Sequence, residues 1–188
     1  MWYIVEAEEG AGIYLGFNRN VTKEEYETAI KEKRLTELLN FYEVKAGDCY
    51  FIPSGTIHAI GKGCLICEIQ QNSNLTYRVY DYGRKDKNGN ERELHIEKAI
   101  TVTNLNKFLP ITFEDCLGKC KYFTVQKYKI DGENELATDE KSFQCVTCIK
   151  GNGFIEDMEI KQGDSFFVPA DYGNYIVKGN LDIILTKI

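Results

Sequence analysis

A nine-residue segment occurs twice in this chain of 188 residues, and this repeat constrains the fold more than any other feature. Residues 45–53 read KAGDCYFIP, and residues 161–169, at an offset of 116 positions, read KQGDSFFVP. In each copy a Gly-Asp turn precedes a short apolar run that ends at a proline, which is typical of a turn followed by a buried β-strand. At the same offset Gly63 matches Gly179. The repeat predicts two related β units.

One segment departs from this β pattern. Thr22 and Glu25 have the spacing of a helix capping box, and apolar residues follow at near-helical intervals. We interpret residues 22–40 as one helix inserted into the first unit. The sequence therefore predicts an all-β fold with two domains, residues 1–105 and residues 106–188.

In the first copy, the segment after the repeated turn predicts a hairpin. Residues 56–60 and 64–70 have the composition of strands, and a tight Gly-Lys-Gly turn centred on Lys62 separates them. In that hairpin His58 pairs with Ile66.

Three polar side chains would share one face of this hairpin. Side chains alternate between the faces of a strand, so Glu68 and Gln70 lie on the same side as His58. Diagonal neighbours across a strand pair are roughly 7–8 Å apart, close enough to contact one ion and its substrate. An imidazole, a carboxylate and an amide together predict a binding or catalytic site. At the same offset of 116, His58 becomes Asn174 and Glu68 becomes Ile184, so we expect the second unit to be structural.

The spacing around the histidine resembles a known family signature. Gly47, Pro53, Gly55 and His58 match the second motif of the cupin superfamily, whose members are small β-barrels that hold a metal inside. The asparagine that closes the motif is Lys62 here. The resemblance implies two tandem cupin-like (jelly-roll) barrels, the second degenerate.

A longer string of residues narrows the resemblance. Residues 68–73 (EIQQNS), 76–81 (TYRVYD) and 92–95 (RELH) are similar to type I mannose-6-phosphate isomerases, in particular the shorter bacterial form. These enzymes interconvert mannose 6-phosphate and fructose 6-phosphate through a cis-enediolate that zinc stabilises as a Lewis acid. The resemblance therefore implies a zinc cofactor and a phosphorylated hexose substrate.

The same resemblance assigns roles to individual residues. His58 matches the family's histidine zinc ligand, and Glu68 lies where a carboxylate could shuttle protons or orient hydroxyl groups. Arg78 matches the arginine that neutralises the enediolate. Gln70 and Asn72 would contact the sugar or support those residues.

The family's other zinc ligands lie upstream, in a Gln-x-His segment and in a glutamate just before the strand that here begins at Trp2. This chain begins at Met1, so it contains one family-matched ligand, whereas a catalytic zinc normally has three. We expect impaired isomerisation by this chain, whether it is a fragment, a shortened homologue or half of a split enzyme. An upstream companion chain or self-association could complete the site.

Two other classes of function stay open. A non-catalytic cupin module that binds a sugar or metabolite fits the missing ligands, but it leaves the polar residues from Glu68 to Asp81 unexplained. Another metal-dependent cupin enzyme, such as a dioxygenase, would need a first motif with two histidines and a glutamate, which this sequence lacks.

Composition excludes some partners. The net charge of −6 and the absence of a basic stretch interleaved with aromatic residues argue against nucleic acid. No apolar run approaches the roughly 20 residues that span a bilayer. No signal peptide is recognisable, so we expect a cytoplasmic location and reduced thiols for the seven cysteines.

Two Cys-x-x-Cys pairs and one histidine are interpreted as structural. Cys64 and Cys67, like Cys145 and Cys148, lie inside β runs, where a spacing of three directs the two sulfurs to opposite faces. That geometry disfavours a zinc knuckle. His95 lies beyond the predicted barrel strands, and we expect it to have a structural role.

Overall fold

The computed structural model describes residues 1–73, 75–81, 85 and 87–188. Within these residues strands are the main regular structure and helices are few, which confirms a β-rich fold. The strands are β1 (Trp2–Ala7), β2 (Gly12–Phe17), β3 (Leu39–Glu43), β4 (Cys49–Tyr50), β5 (His58–Ile60), β6 (Cys64–Glu68), β7 (Gly118–Lys119), β8 (Thr124–Thr138), β9 (Gln144–Ile155), β10 (Met158–Lys161), β11 (Ser165–Val168) and β12 (Gly173–Lys187). The helices are α1 (Lys23–Lys31) and α2 (Ile96–Val102), and a 3₁₀ helix covers Leu35–Leu38.

The strands form three antiparallel sheets. One has the order β4-β1-β6, the second β3-β2-β5, and the third β10-β9-β12-β8-β7, with β11 also pairing with β9. Hydrogen bonds among the described residues do not close any of these sheets into a barrel. The tandem jelly-roll arrangement therefore stays a prediction.

Strand β1 contributes buried side chains on both of its faces. Trp2 and Ile4 point to one side, where they pack with Ile13 and Leu15 of the second sheet. These four side chains are all at most 3% exposed. Full burial of side chains of this size contributes about 1.5–3 kcal/mol each, so this cluster holds the first two sheets face to face.

The other face of β1 contacts the third sheet. Tyr3 packs there against Val125, Ile149 and Ile184, so the N-terminal and C-terminal halves share one apolar cluster. The six-stranded sheet takes all of its strands from residues 118–187 among those described. The division between residues 105 and 106 stays a prediction.

The helical insertion is shorter than the sequence predicts. Thr22 caps α1 as expected, since its Oγ1 accepts a hydrogen bond from the Glu25 N–H at 3.2 Å. The helix ends at Lys31, because Lys33 adopts a left-handed conformation with φ of 58° and the Arg34 N–H turns back to the Ala29 carbonyl. The prediction of one helix over residues 22–40 is wrong in extent, because β3 has already begun by then.

The predicted hairpin between residues 56–60 and 64–70 is also wrong. Strand β5 pairs with β2 and strand β6 pairs with β1, so the two belong to different sheets. The turn between them is held by hydrogen bonds to residues elsewhere in the chain. The Gly61 N–H donates to the Gly12 carbonyl, and the Gly63 carbonyl accepts from the Glu8 N–H. His58 therefore lies opposite Leu15, not Ile66.

The repeat is confirmed in the backbone. In both copies the Lys N–H bonds to the Asp carboxylate three residues later, at 2.9 Å for Lys45–Asp48 and 3.0 Å for Lys161–Asp164. The glycine of each turn has a positive φ, 97° and 93°, and donates to a neighbouring strand. The same sequence pattern therefore builds the same turn twice.

The second copy has lost the polar site residues, as the sequence predicts. Asn174, at the position that matches His58, donates its side-chain amide to Glu135 at 2.8 Å. Ile184, which matches Glu68, is 1% exposed in the cluster shared by the two halves. In the described part of the chain, neither helix is long and apolar enough to cross a membrane.

Gly16 adopts a left-handed backbone conformation next to Phe108, which packs against the cluster between the first two sheets. Its φ is +63°, and a Cβ there would lie 2.2 Å from Cβ of Phe108. Asn40 fixes this part of β2, since its side-chain amide reaches the carbonyl oxygens of residues 15–17 at 3.0 to 3.3 Å.

We expect Gly16→Ala to lower the free energy of unfolding by about 2–5 kcal/mol, because it adds a steric clash to the cost of a left-handed alanine. Gly10→Ala is the matched control, with φ of +73° and nothing within 4 Å of the added Cβ. It should cost only about 1–2 kcal/mol. Urea denaturation measures both, and equal losses would contradict the clash.

Candidate functional site

His58 begins β5 with an exposed side chain and a defined ring orientation. Its Nδ1 lies 2.7 Å from the Thr56 carbonyl oxygen. A carbonyl can only accept, so in the neutral imidazole Nδ1 carries the proton and Nε2 the lone pair. A backbone carbonyl that fixes the tautomer in this way is the usual support of a histidine metal ligand.

Glu68 ends β6 on the face that meets the second sheet. It lies directly opposite Trp2, and its Oε1 accepts a hydrogen bond from the indole N–H at 3.1 Å. Among the described residues, Trp2 is the only hydrogen-bond partner of this carboxylate.

Trp2 brings His58 and Glu68 together. The indole also meets the imidazole of His58 edge-on, with ring centroids 5.2 Å apart and an interplanar angle of 75°. His58 and Glu68 therefore share a neighbour across two facing sheets, not one face of a hairpin, and their common site stays a prediction. Sequence reasoning did not select Trp2, although the apolar run WYIV was a signal that β1 is buried on both faces.

Arg78 is half-buried and held by its backbone. Its N–H donates to Nδ1 of His95 at 3.3 Å, and its carbonyl accepts from the His95 N–H at 2.7 Å. His95 therefore has the structural role that the sequence predicts. Within the described residues, the Arg78 guanidinium forms no hydrogen bond or ion pair.

Gln70 and Asn72 are exposed in the segment after β6. Neither side chain forms a hydrogen bond to another described residue. Their assignment to the substrate stays a prediction. The neighbouring Asn74 lies outside the described residues.

Asp81 and Arg92, which follow Asn72 in the chain, form an ion pair. Asp81 is 9% exposed and accepts hydrogen bonds from Arg92, one of them at 2.7 Å from Nε. Asp81 thereby neutralises the charge of Arg92, whereas Arg78 has no ion-pair partner among the described residues.

The residues present fit a zinc site in part. His58 offers a free Nε2, but the described residues contain no group of three His, Cys, Asp or Glu side chains that could hold a metal. The described residues therefore offer one candidate ligand of the family type, His58, and not a complete set.

The cysteines do not extend the site. All seven lie in the described part of the chain and are free thiols. Cys64 packs in the cluster between the first two sheets, and Cys67 packs on the opposite face, as the strand spacing predicts. Burial raises the pKa of the Cys49 thiol to about 11 and also raises the pKa of Cys67, so both stay protonated and unreactive near neutral pH.

The fold defines a protein of the cupin class. Comparison with known proteins identifies the family: the chain belongs to the mannose-6-phosphate isomerases. A family model described as "Mannose-6-phosphate isomerase, cupin domain" matches residues 114–188. These residues lie within the predicted second unit.

Relatives match the whole chain. The mannose-6-phosphate isomerase ManA of Bacillus subtilis is 37% identical over 201 residues, which is 100% of this chain and 63% of that protein. The mannose-6-phosphate isomerase of Streptococcus mutans is 37% identical over 196 residues, 97% of this chain and 61% of its own length. The crystal structure of the mannose 6-phosphate isomerase from Bacillus subtilis matches with a TM-score of 0.89 and 37% identity, covering 100% of this chain and 63% of that one. The chain thus spans less than two thirds of these relatives.

If His58 is the metal ligand, His58→Ala should abolish the zinc or nickel binding of this chain and leave its fold intact, because the side chain is exposed. His95→Ala is the matched control, since the sequence contains only these two histidines. Metal analysis after dialysis, with circular dichroism as the check on folding, measures the effect. Equal metal content in His58→Ala and the parent would refute the assignment.

Proposed function

We propose that this chain is the cupin part of a mannose-6-phosphate isomerase, which interconverts mannose 6-phosphate and fructose 6-phosphate. One observation carries the proposal: Trp2 joins an imidazole with a free Nε2 to an oriented carboxylate. This arrangement occurs in a chain that is similar over its whole length to enzymes named for that reaction.

His58 would be the residue that holds zinc. When bound, zinc supplies Lewis-acid polarisation of the sugar carbonyl. The protein's own contribution is the hydrogen bond from Nδ1 to Thr56, which selects the tautomer of the neutral imidazole with its lone pair on Nε2 and aims the ring. Because His58 is exposed, a ligand can approach it without a change in the fold.

Glu68 would carry the proton between C1 and C2 of the sugar. A general base needs an accessible oxygen at a fixed place near the carbon acid. Oε1 is engaged by Trp2, and Oε2 forms no hydrogen bond with a described residue. Oε2 is therefore the oxygen that we assign to proton transfer.

Arg78 would stabilise the negative charge that develops when the proton leaves carbon. Its guanidinium has no ion-pair partner among the described residues, while its backbone is fixed by His95. A preorganised positive charge of this kind stabilises an oxyanion in the transition state more than the neutral substrate. Gln70 and Asn72 would contact the sugar hydroxyl groups.

We propose further that this chain is a poor catalyst by itself. One zinc ligand gives weak binding, so the carbonyl of the substrate would be little polarised. A companion chain that carries the family's upstream segment, or a second copy of this chain, would complete the site. The chain would act on its phosphorylated hexose in the cytoplasm, as the sequence predicts.

A second candidate is a module that binds a sugar phosphate without turning it over. The observation in its favour is the lack of a three-ligand group among the described residues. The two candidates differ in one measurable property, because a binding module should bind mannose 6-phosphate but never isomerise it.

We expect the chain alone to isomerise mannose 6-phosphate slowly or not at all, and its mixture or fusion with the N-terminal part of the Bacillus subtilis relative to be active. In the active assembly, Arg78→Ala should lower kcat by about 10²–10³ through loss of one preorganised charge. A coupled assay for fructose 6-phosphate in the presence of zinc measures this.

Arg92→Ala is the control for charge, since Arg92 is already paired with Asp81. It should affect stability more than kcat. An assembly that binds mannose 6-phosphate without turnover would favour the binding module. Robust zinc-dependent turnover by the isolated chain would show that the additional ligands come from elsewhere, such as a second copy.

A further inference from the structure

Trp2 is the buried residue beneath the two candidate site residues. It is 3% exposed, whereas His58 and Glu68 are both exposed. Its strand neighbours fix its backbone on both sides, Tyr50 on β4 and Glu68 on β6. The indole is therefore a rigid support for the exposed side chains above it.

The two contacts of Trp2 differ in chemistry. The indole N–H can only donate, and a buried tryptophan needs an acceptor for it. Glu68 supplies that acceptor at 3.1 Å. The ring itself packs edge-on against the imidazole of His58 at a centroid distance of 5.2 Å. One side chain thus sets both the rotamer of the carboxylate and the packing of the imidazole.

The hydrogen bond also distinguishes the two carboxylate oxygens. Glu68 ends its strand and is exposed, so without a partner its side chain would sample several rotamers. A donor on a fixed backbone restricts it to those in which Oε1 meets the indole. Oε2 then has a defined position beside the ring that also contacts His58.

We propose that Trp2 is a positioning residue, which holds Glu68 with its free oxygen toward a substrate bound at His58. This inference rests on the proposed function, in which Glu68 carries the proton. Trp2 does not touch the reacting atoms, so its hydrogen bond acts through Glu68. Phenylalanine would keep the ring against His58 but would lack the donor.

The first test does not depend on turnover. Trp2 is the single tryptophan of the chain, so a nitrogen-15 spectrum contains one indole N–H signal. We expect Glu68→Gln to keep an oxygen acceptor and the protection of this proton from solvent exchange, and Glu68→Leu to lose both. An indole signal whose shift and exchange rate are the same in Glu68→Leu and the parent would overturn the proposal.

The second test uses the assembly that isomerises mannose 6-phosphate. Trp2→Phe should lower kcat about tenfold and leave KM within about twofold, because the lost hydrogen bond to a charged group matters in proton transfer rather than in substrate binding. In a Glu68→Gln background, Trp2→Phe should have little further effect. Tyr3→Phe changes the buried aromatic residue on the opposite face of β1 and is the matched control, with kcat unchanged.

A third variant guards against misfolding of Trp2→Phe. Replacing the single tryptophan by β-(3-benzothienyl)alanine puts sulfur in place of N–H and keeps the size of the ring, so the same loss of kcat is expected. No turnover in the parent assembly would overturn the proposed function and the catalytic part of this inference together. Turnover with an unchanged kcat in the benzothienyl variant, or an additive loss in the double variant, would overturn the positioning role alone.

Discussion

Burial of β1 on both faces is the constraint on which the rest of the structure depends. Trp2 and Ile4 pack against the second sheet, while Tyr3 packs against the sheet of the C-terminal half. This strand of six residues thus contributes side chains to both apolar clusters, one on each of its faces. A substitution in this strand should disturb the packing of both clusters, because close-packed interiors transmit even small changes in side-chain volume.

The same strand positions the candidate chemistry. Its first residue donates to Glu68 on one side and contacts His58 on the facing sheet, so the site is assembled on packed strands instead of on a mobile loop. The backbone of Arg78 is held differently, by hydrogen bonds to Nδ1 and the backbone N–H of His95. Sites supported in this way keep the geometry of their polar groups without reorganisation, which is what stabilisation of developing charge requires.

The two copies of the repeat form the same turn but lead into different strand arrangements. Each copy has the same Gly-Asp turn, and both turns donate to a central strand. In the second copy the region that matches β5 and β6 is one continuous strand, β12, whose Ile184 is buried in the shared cluster. In the first copy the glycine turn at residues 61–63 sends the two strands to different sheets. That division leaves His58 and Glu68 exposed on either side of a buried indole.

The sequence by itself determined the β class, the repeat, the start of α1 at its Thr22 cap and the candidate residues His58 and Glu68. These are carried by local patterns, since turn residues, alternation and capping act over a few positions. Only the tertiary structure decided which strands pair. The predicted hairpin failed because Gly61 and Gly63 bond outward to β2 and to the turn after β1, and no local pattern encodes those distant partners. The role of Trp2 was hidden for the same reason: an apolar residue in a buried strand has a sequence signal only for burial, whereas its hydrogen bond depends on which strand lies beside it.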